Sequence, residues 1–240
     1  MLQKKITTVL FDLDGTLLPM DQDVFAKTYF TSIGAAIAPL GYEMEAVVKG
    51  IWAGTYAMMK NNGEKANETV FWETFAGVFG DRVYGDKPAF DTFYVEHFDD
   101  IAPVCGYDAR AAQTVDLCKE RGLTVALATN PIFPRIATEK RMKWAGLARE
   151  DFALYTTYED SFYCKPDLRY YKAILEKLGV SPEECLMVGN DVAEDMVAAQ
   201  LGMSVFLLTD CMINKKELDI SAYPQGGFDE LMTFIRSMTA

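Results

Sequence analysis

Four short stretches of the chain are apolar at most positions: 6–11 (ITTVLF), 123–128 (LTVALA), 185–188 (CLMV) and 205–208 (VFLL). Each is too short for a helix and lacks the strict alternation of a half-exposed strand. They therefore predict strands covered on both faces, as in parallel sheets. Segment 152–155 is a weaker fifth candidate. Helical spacing of apolar positions covers 109–121, 134–145, 167–178 and 193–201, and the next residue is Gly122, Gly146, Gly179 and Gly202 in turn. Glycine takes the left-handed conformation that commonly ends a helix. This alternation of strand, helix and glycine predicts an α/β fold, a doubly wound parallel sheet.

The alternation breaks between residues 20 and 108, where no convincing strand occurs. Helical spacing covers 22–39, 43–60, 67–79 and 86–99 instead. Asp21 or Asp23 is placed to cap the first helix, Gly41 follows it, and Asn61-Asn62-Gly63-Glu64-Lys65 is a breaker. Nearly 90 residues is too long for an ordinary crossover. The block reads as a helical bundle inserted over one end of the sheet, which divides the chain into a core of 1–19 and 109–240 and an insert of 20–108. The insert is rich in aromatic residues and methionine. Trp52, Tyr56, Met58 and Met59 share one helical stretch and read as core; His97, the chain's one histidine, reads as structural or surface.

The 240 residues carry 23 basic and 35 acidic side chains, a net charge of −12. An acidic chain repels a polyphosphate backbone at long range, which argues against nucleic acid as a partner. A small phosphorylated substrate stays open, because a metal ion and a few backbone amides reverse the sign locally. The five cysteines are widely spaced and include no C-x-x-C, which fits a reducing compartment and predicts a cytoplasmic location. The apolar stretch after Lys4 and Lys5 is too short for a secretory signal, and no apolar run approaches the length of a membrane span, so no membrane association is expected.

In open parallel sheets ligands bind beyond the carboxyl ends of the strands. Asp12 and Asp14 follow the first apolar run, Thr129 and Asn130 the second, and Gly189, Asn190 and Asp191 the CLMV run, with Asp195 four residues later. Residues two apart on extended backbone face the same way. Carboxylates so placed repel unless a cation lies between them or one is protonated. Asp191 and Asp195 open a helix-like stretch, where complementing the helix dipole is the plainer role. Together with Asp12 and Asp14 they suggest a hard-cation site, and a set of oxygen donors without histidine favours Mg²⁺. Thr129 and Asn130 suit phosphate oxygens, although a turn before Pro131 would use the same residues. Lys165, in Cys164-Lys165-Pro166-Asp167, would ordinarily be a solvated lysine before a helix.

In this order the segments resemble the motifs of haloacid dehalogenase-like (HAD) hydrolases. Asp12-Leu13-Asp14-Gly15-Thr16-Leu17 resembles the D-x-D-G-T-L signature, Thr129-Asn130 the second motif, Lys165-Pro166-Asp167 the third, and Gly189-Asn190-Asp191-(x)3-Asp195 the acidic fourth. The insert resembles the cap of the C1-capped subfamily on a HAD-like Rossmannoid core. The resemblance implies a Mg²⁺-dependent phosphatase acting on a small phosphorylated metabolite. Asp12 would be the nucleophile and Asp14 the acid and base; Mg²⁺ would be held by Asp12, the backbone carbonyl of Asp14, and Asp191. Thr129, Asn130 and Lys165 would bind phosphate, with Asn190 and Asp195 behind the metal ligands. Many relatives carry Gly-Asp where this chain has Gly189-Asn190, so the direct ligand shifts to Asp191. The second aspartate, Asp14, is absent from haloacid dehalogenases, and its presence points to phosphoryl transfer. A sugar phosphomutase is a related possibility. Outside enzymes, receiver domains also combine a phosphorylated aspartate, Mg²⁺, a threonine and a lysine, but their acid pair is adjacent and they lack such an insert. A third possibility is a binding protein that keeps the fold without the activity.

Overall fold

A computed structural model of the chain describes residues 5–238. Lys4, the ends of the expected core at 1–4 and at 239–240 lie outside the described residues. Among those described, six strands form one sheet: β1 (Thr8–Phe11), β2 (Thr124–Leu127), β3 (Leu154–Tyr155), β4 (Cys185–Gly189), β5 (Ser204–Leu208) and β6 (Gln225–Gly226). Their order is β3-β2-β1-β4-β5-β6 and every pairing is parallel. β1 is central: Phe11 stands beside Leu127 on one side and Val188 on the other. The chain order reverses there, between β1 and β4, which is where doubly wound sheets open a crevice.

Strand residues alternate between the two layers. Val9 and Phe11 pack with α5 (Ala109–Glu120), α6 (Arg135–Trp144) and α8 (Phe228–Ser237). Leu10, with Ala126 and Met187, packs against Tyr170, Tyr171 and Ile174 of α7 (Leu168–Leu178). Removing each such side chain from water contributes about 1.5–3 kcal/mol, so β1 is held from both faces.

Between β1 and α5 lie α1 (Gln22–Ile37), α2 (Met44–Met59), α3 (Asn67–Phe79), α4 (Arg82–Glu96) and a 3-10 segment, Phe98–Val104. Asp21, not Asp23, caps α1, accepting from the Asp23 and Val24 amides at 2.9 and 3.0 Å. The two passages between helical block and sheet run side by side: Met20 bridges Cys105, and the Gly106 amide donates to the Pro19 carbonyl at 2.7 Å.

Several expectations need correction. Trp52, Tyr56 and Met59 are not core; they are 54, 62 and 41 % exposed, and only Met58 of the group is buried. The buried face of α2 runs through Val47, Gly50, Ile51, Gly54 and Met58. A Cβ at Gly54 would come within 2.5 Å of the Phe71 ring, so glycine is what lets α3 approach here. Residues 52, 56 and 59 occupy the other side of the same 3.6-residue period. The expected helix at 193–201 is instead a turn followed by a 3-10 segment, Met196–Leu201. The Asp191 side chain accepts from the Ala193 and Glu194 amides at 2.8 and 3.0 Å, local bonding that competes with a regular helix. β6 and α8 were not anticipated. Among the described residues no helix is long and apolar enough to cross a membrane.

Candidate active site

The Asp12 amide continues the ladder of β1 by donating to the Val188 carbonyl at 2.9 Å, which fixes the first residue beyond the strand. Gly15 then turns the chain at φ +85°, a conformation that glycine adopts without strain. A Cβ at this position would lie 2.3 Å from the Asn190 amide nitrogen. The loop after β1 thus rests directly on the loop after β4. Thr16 joins them: its hydroxyl lies 2.9 Å from Asn190 Oδ1 and 3.2 Å from Asp12 Oδ2 and donates between them.

Lys165 is the charge centre. It is 1 % exposed, and Nζ donates to Asp12 Oδ1 at 2.8 Å and to Asp195 Oδ1 at 2.6 Å. Burial alone would lower the ammonium, but the flanking Asp12 and Asp195 carboxylates raise it well above its ordinary range. Burial and the nearby Asp12 charge push the Asp195 carboxyl upward, opposed by Lys165. Asp195 Oδ2 also accepts the Asp191 amide at 3.0 Å.

Asp14 faces a different partner. Its carboxylate pairs with Arg141 of α6, a side chain 1 % exposed that also stacks over the Phe133 ring at 4.4 Å. Asp14 Oδ1 is buried without a hydrogen-bond partner. Burial raises the Asp14 carboxyl above its usual range, while Arg141 draws it back.

The phosphate-binding candidates are held by backbone and amide contacts. The carbonyl of Thr129 accepts from Thr156 Oγ1 at 2.6 Å and from the Tyr170 hydroxyl at 2.8 Å. Asn130 bridges two loops, accepting from the Lys165 amide at 3.3 Å and donating to Glu194 Oε2 at 3.0 Å. Burial pushes the Glu194 carboxyl up to about 7 despite Lys165.

All eight residues singled out in the sequence, Asp12, Asp14, Thr129, Asn130, Lys165, Asn190, Asp191 and Asp195, line one cavity at the carboxyl edge of the sheet. Asp12, Lys165 and Asp195 are in direct contact, Asn190 reaches them through Thr16, and Asp191 spends one oxygen on its own turn. Among the described residues, no three His, Cys, Asp or Glu side chains cluster tightly enough to hold a metal by themselves. The expected Mg²⁺ set asks less, two carboxylates (Asp12 and Asp191) and the backbone carbonyl of Asp14. Oxygen-only donors and an unpartnered buried carboxylate oxygen beside them are compatible with a hard cation.

Sequence reasoning missed Arg141, Glu194 and the role of Thr16. Glu194 lay within an acidic stretch that was legible. Arg141 sits mid-helix, far from any strand end, and nothing in its sequence neighbourhood marks it.

An open parallel sheet with acidic residues gathered at its switch point, under a block of helices, defines a capped α/β enzyme of the doubly wound class. The chain belongs to the haloacid dehalogenase-like hydrolase family, whose family model matches residues 6–202. It is similar to the pyrophosphatase PpaX of Bacillus velezensis, with 25 % identity over 84 % of this chain and 82 % of that protein. A phosphoglycolate phosphatase of Agrobacterium fabrum is 24 % identical over 80 % of this chain and 75 % of that protein. Among solved structures, a HAD phosphatase from Thermococcus onnurineus superposes with a TM-score of 0.61 at 18 % identity, covering 96 % of this chain and 98 % of that one.

Proposed function

We propose that the protein is a Mg²⁺-dependent phosphohydrolase that cleaves a small phosphorylated metabolite through an aspartyl-phosphate intermediate. The observation that carries this reading is Asp12, fixed at the end of the central strand, with Lys165 Nζ 2.8 Å from its carboxylate. The names of similar proteins, a pyrophosphatase and a phosphoglycolate phosphatase, support the same chemistry.

In this reading Asp12 attacks phosphorus, forming a carboxylate O–P bond as the P–O bond to the leaving group breaks. The Asp14 carboxyl gives its proton to the departing oxygen. It then takes a proton from the water that attacks the aspartyl phosphate, releasing inorganic phosphate and restoring both carboxyl groups. Arg141 holds the Asp14 side chain in place for both transfers. Lys165 spends two of its three N–H donors on Asp12 and Asp195 and offers the third to a phosphoryl oxygen. Thr129 contributes its hydroxyl, and Asn130 positions the Lys165 loop. Such preplaced charge counts most where negative charge builds on the phosphoryl group. Asp12, the Asp14 carbonyl and Asp191 would hold Mg²⁺, which when bound would supply positive charge to offset the negative charge of the phosphoryl group. Residues 20–108 act as a C1-type cap over this site, and the enzyme works in the cytoplasm. Sustained, Mg²⁺-dependent hydrolysis of para-nitrophenyl phosphate tests the reading; a single stoichiometric phosphorylation without turnover would contradict it.

A further inference from the structure

The cavity holding Asp12 has a volume of about 490 Å³. That lies within the ~300–1,000 Å³ typical of sites for whole organic molecules, and it exceeds the need of a phosphoryl group alone. Its two walls differ in kind. The sheet edge is polar and charged. The wall supplied by the helical insert is built from rings and aliphatic groups, including Phe30, Ile33, Trp52, Met59 and Phe71. Trp52 and Met59 are 54 and 41 % exposed, apolar surface turned toward the cavity rather than buried in the insert. The Phe30 and Trp52 rings lie 5.5 Å apart, a preformed aromatic pair.

The charges on the walls matter as much. Among the described lining residues, the basic side chains are Lys165 and Lys215, and both belong to the sheet side. Lys165 gives two of its N–H donors to Asp12 and Asp195 and, in the reading above, its third to the phosphoryl group. The insert contributes no basic side chain to the lining; its charged contribution is Asp23. A second anionic group on a substrate, such as a carboxylate or another phosphate, would enter the insert side without a counter-ion, and desolvating an unpaired anion is costly.

We infer that the substrate is a phosphomonoester of a bulky apolar alcohol, aromatic or branched, whose hydrocarbon part lies against Phe30 and Trp52 while the phosphoryl group meets Asp12. This rests on the phosphohydrolase reading and sharpens it, because pyrophosphate and 2-phosphoglycolate both carry a second anion. The insert selects for hydrocarbon and against charge.

The test compares alkyl esters of similar leaving-group chemistry: kcat/KM with Mg²⁺ for 2-phenylethyl phosphate, ethyl phosphate and 2-phosphoglycolate, with pyrophosphate alongside. The expected order places 2-phenylethyl phosphate at least about tenfold above ethyl phosphate, since apolar pockets discriminate by ~10–200-fold for even small hydrocarbon differences. 2-Phosphoglycolate and pyrophosphate fall below ethyl phosphate. Trp52→Ala lowers the ratio of 2-phenylethyl to ethyl phosphate several-fold, and Trp52→Arg raises 2-phosphoglycolate relative to 2-phenylethyl phosphate. Trp52 is more than half exposed, so neither variant threatens folding. More efficient turnover of 2-phosphoglycolate or pyrophosphate than of 2-phenylethyl phosphate overturns the inference while leaving the phosphohydrolase standing. A ratio unmoved by Trp52→Ala overturns it as well. Turnover of none of the four by protein that hydrolyses para-nitrophenyl phosphate overturns the inference alone, and absence of para-nitrophenyl phosphate turnover as well removes the phosphohydrolase reading with it.

Discussion

Replacing Lys165 by methionine keeps most of the side-chain volume and deletes one charge from a place that water does not reach. Lys165 and Asp195 are each 1 % exposed at the side chain and Asp12 is 10 % exposed, with contacts of 2.8 and 2.6 Å. The variant leaves two carboxylates beside each other with no cation between them. Removing one partner of a buried ion pair costs about 3–5 kcal/mol, because the remaining charge stays desolvated. Against the 5–15 kcal/mol typical of folded domains this is a large fraction. At ~2–4 °C per kcal/mol for a chain of this size, the melting midpoint should fall by roughly 6–20 °C. Urea unfolding in EDTA, which keeps metal out of the comparison, measures the loss. The double variant Lys165→Met/Asp195→Asn should recover part of it, since one orphaned charge is gone, and a double-mutant cycle reports their coupling. A Lys165→Met protein within about 1 kcal/mol of wild type would refute the buried ion triad as a determinant of stability.

Other outcomes follow from the same geometry. Gly15→Ala forces a Cβ onto the Asn190 amide at a left-handed φ, and should cost about 1–3 kcal/mol in denaturant unfolding while lowering kcat. Arg141→Lys keeps the charge but not the planar fork over Phe133; kcat should fall about tenfold or more with KM changed less, since the pair with Asp14 acts on the reacting step. Glu194 has its carboxyl raised to about 7 in the folded protein by burial. The folded state therefore holds that proton more tightly than the unfolded chain; the associated stability is complete below about pH 4.5 and is lost as pH rises through 7. Wild type should lose on the order of 3 kcal/mol relative to Glu194→Gln across that window, measured by unfolding in EDTA, and parallel pH curves for the two proteins would contradict this.

The sheet was legible because β1, β2, β4 and β5 are largely buried on both faces and so carry short, mostly apolar runs. β3 was faint for the opposite reason: its two residues are only half-buried. β6 spans two residues, Gln225 and Gly226, with no apolar signal at all. α8 does leave a trace in the sequence, with Phe228, Leu231 and Ile235 at helical spacing. The aromatic residues of α2 show where spacing runs out. Periodicity says that residues 52, 56 and 59 share a face; it does not say whether that face meets a neighbouring helix or an open cavity. Most of the candidate site residues were readable because short loops after β1, β2 and β4 put them at one sheet edge; Lys165, ten residues beyond β3, carried no such signal and stood out only through the rest of the constellation. Arg141 was unreadable because its contact with Asp14 joins residues 127 positions apart, through the packing of α6 on the sheet.

The central claim is that Asp12 is the nucleophile of a Mg²⁺-dependent phosphohydrolase. Its most direct test is the time course of para-nitrophenyl phosphate hydrolysis by wild type and Asp12→Asn, with circular dichroism confirming that both are folded. The account predicts sustained multiple turnover by wild type and a rate lower by at least about 10³-fold in the variant, as when a nucleophile is removed. Sustained hydrolysis by Asp12→Asn at the wild-type rate would contradict it.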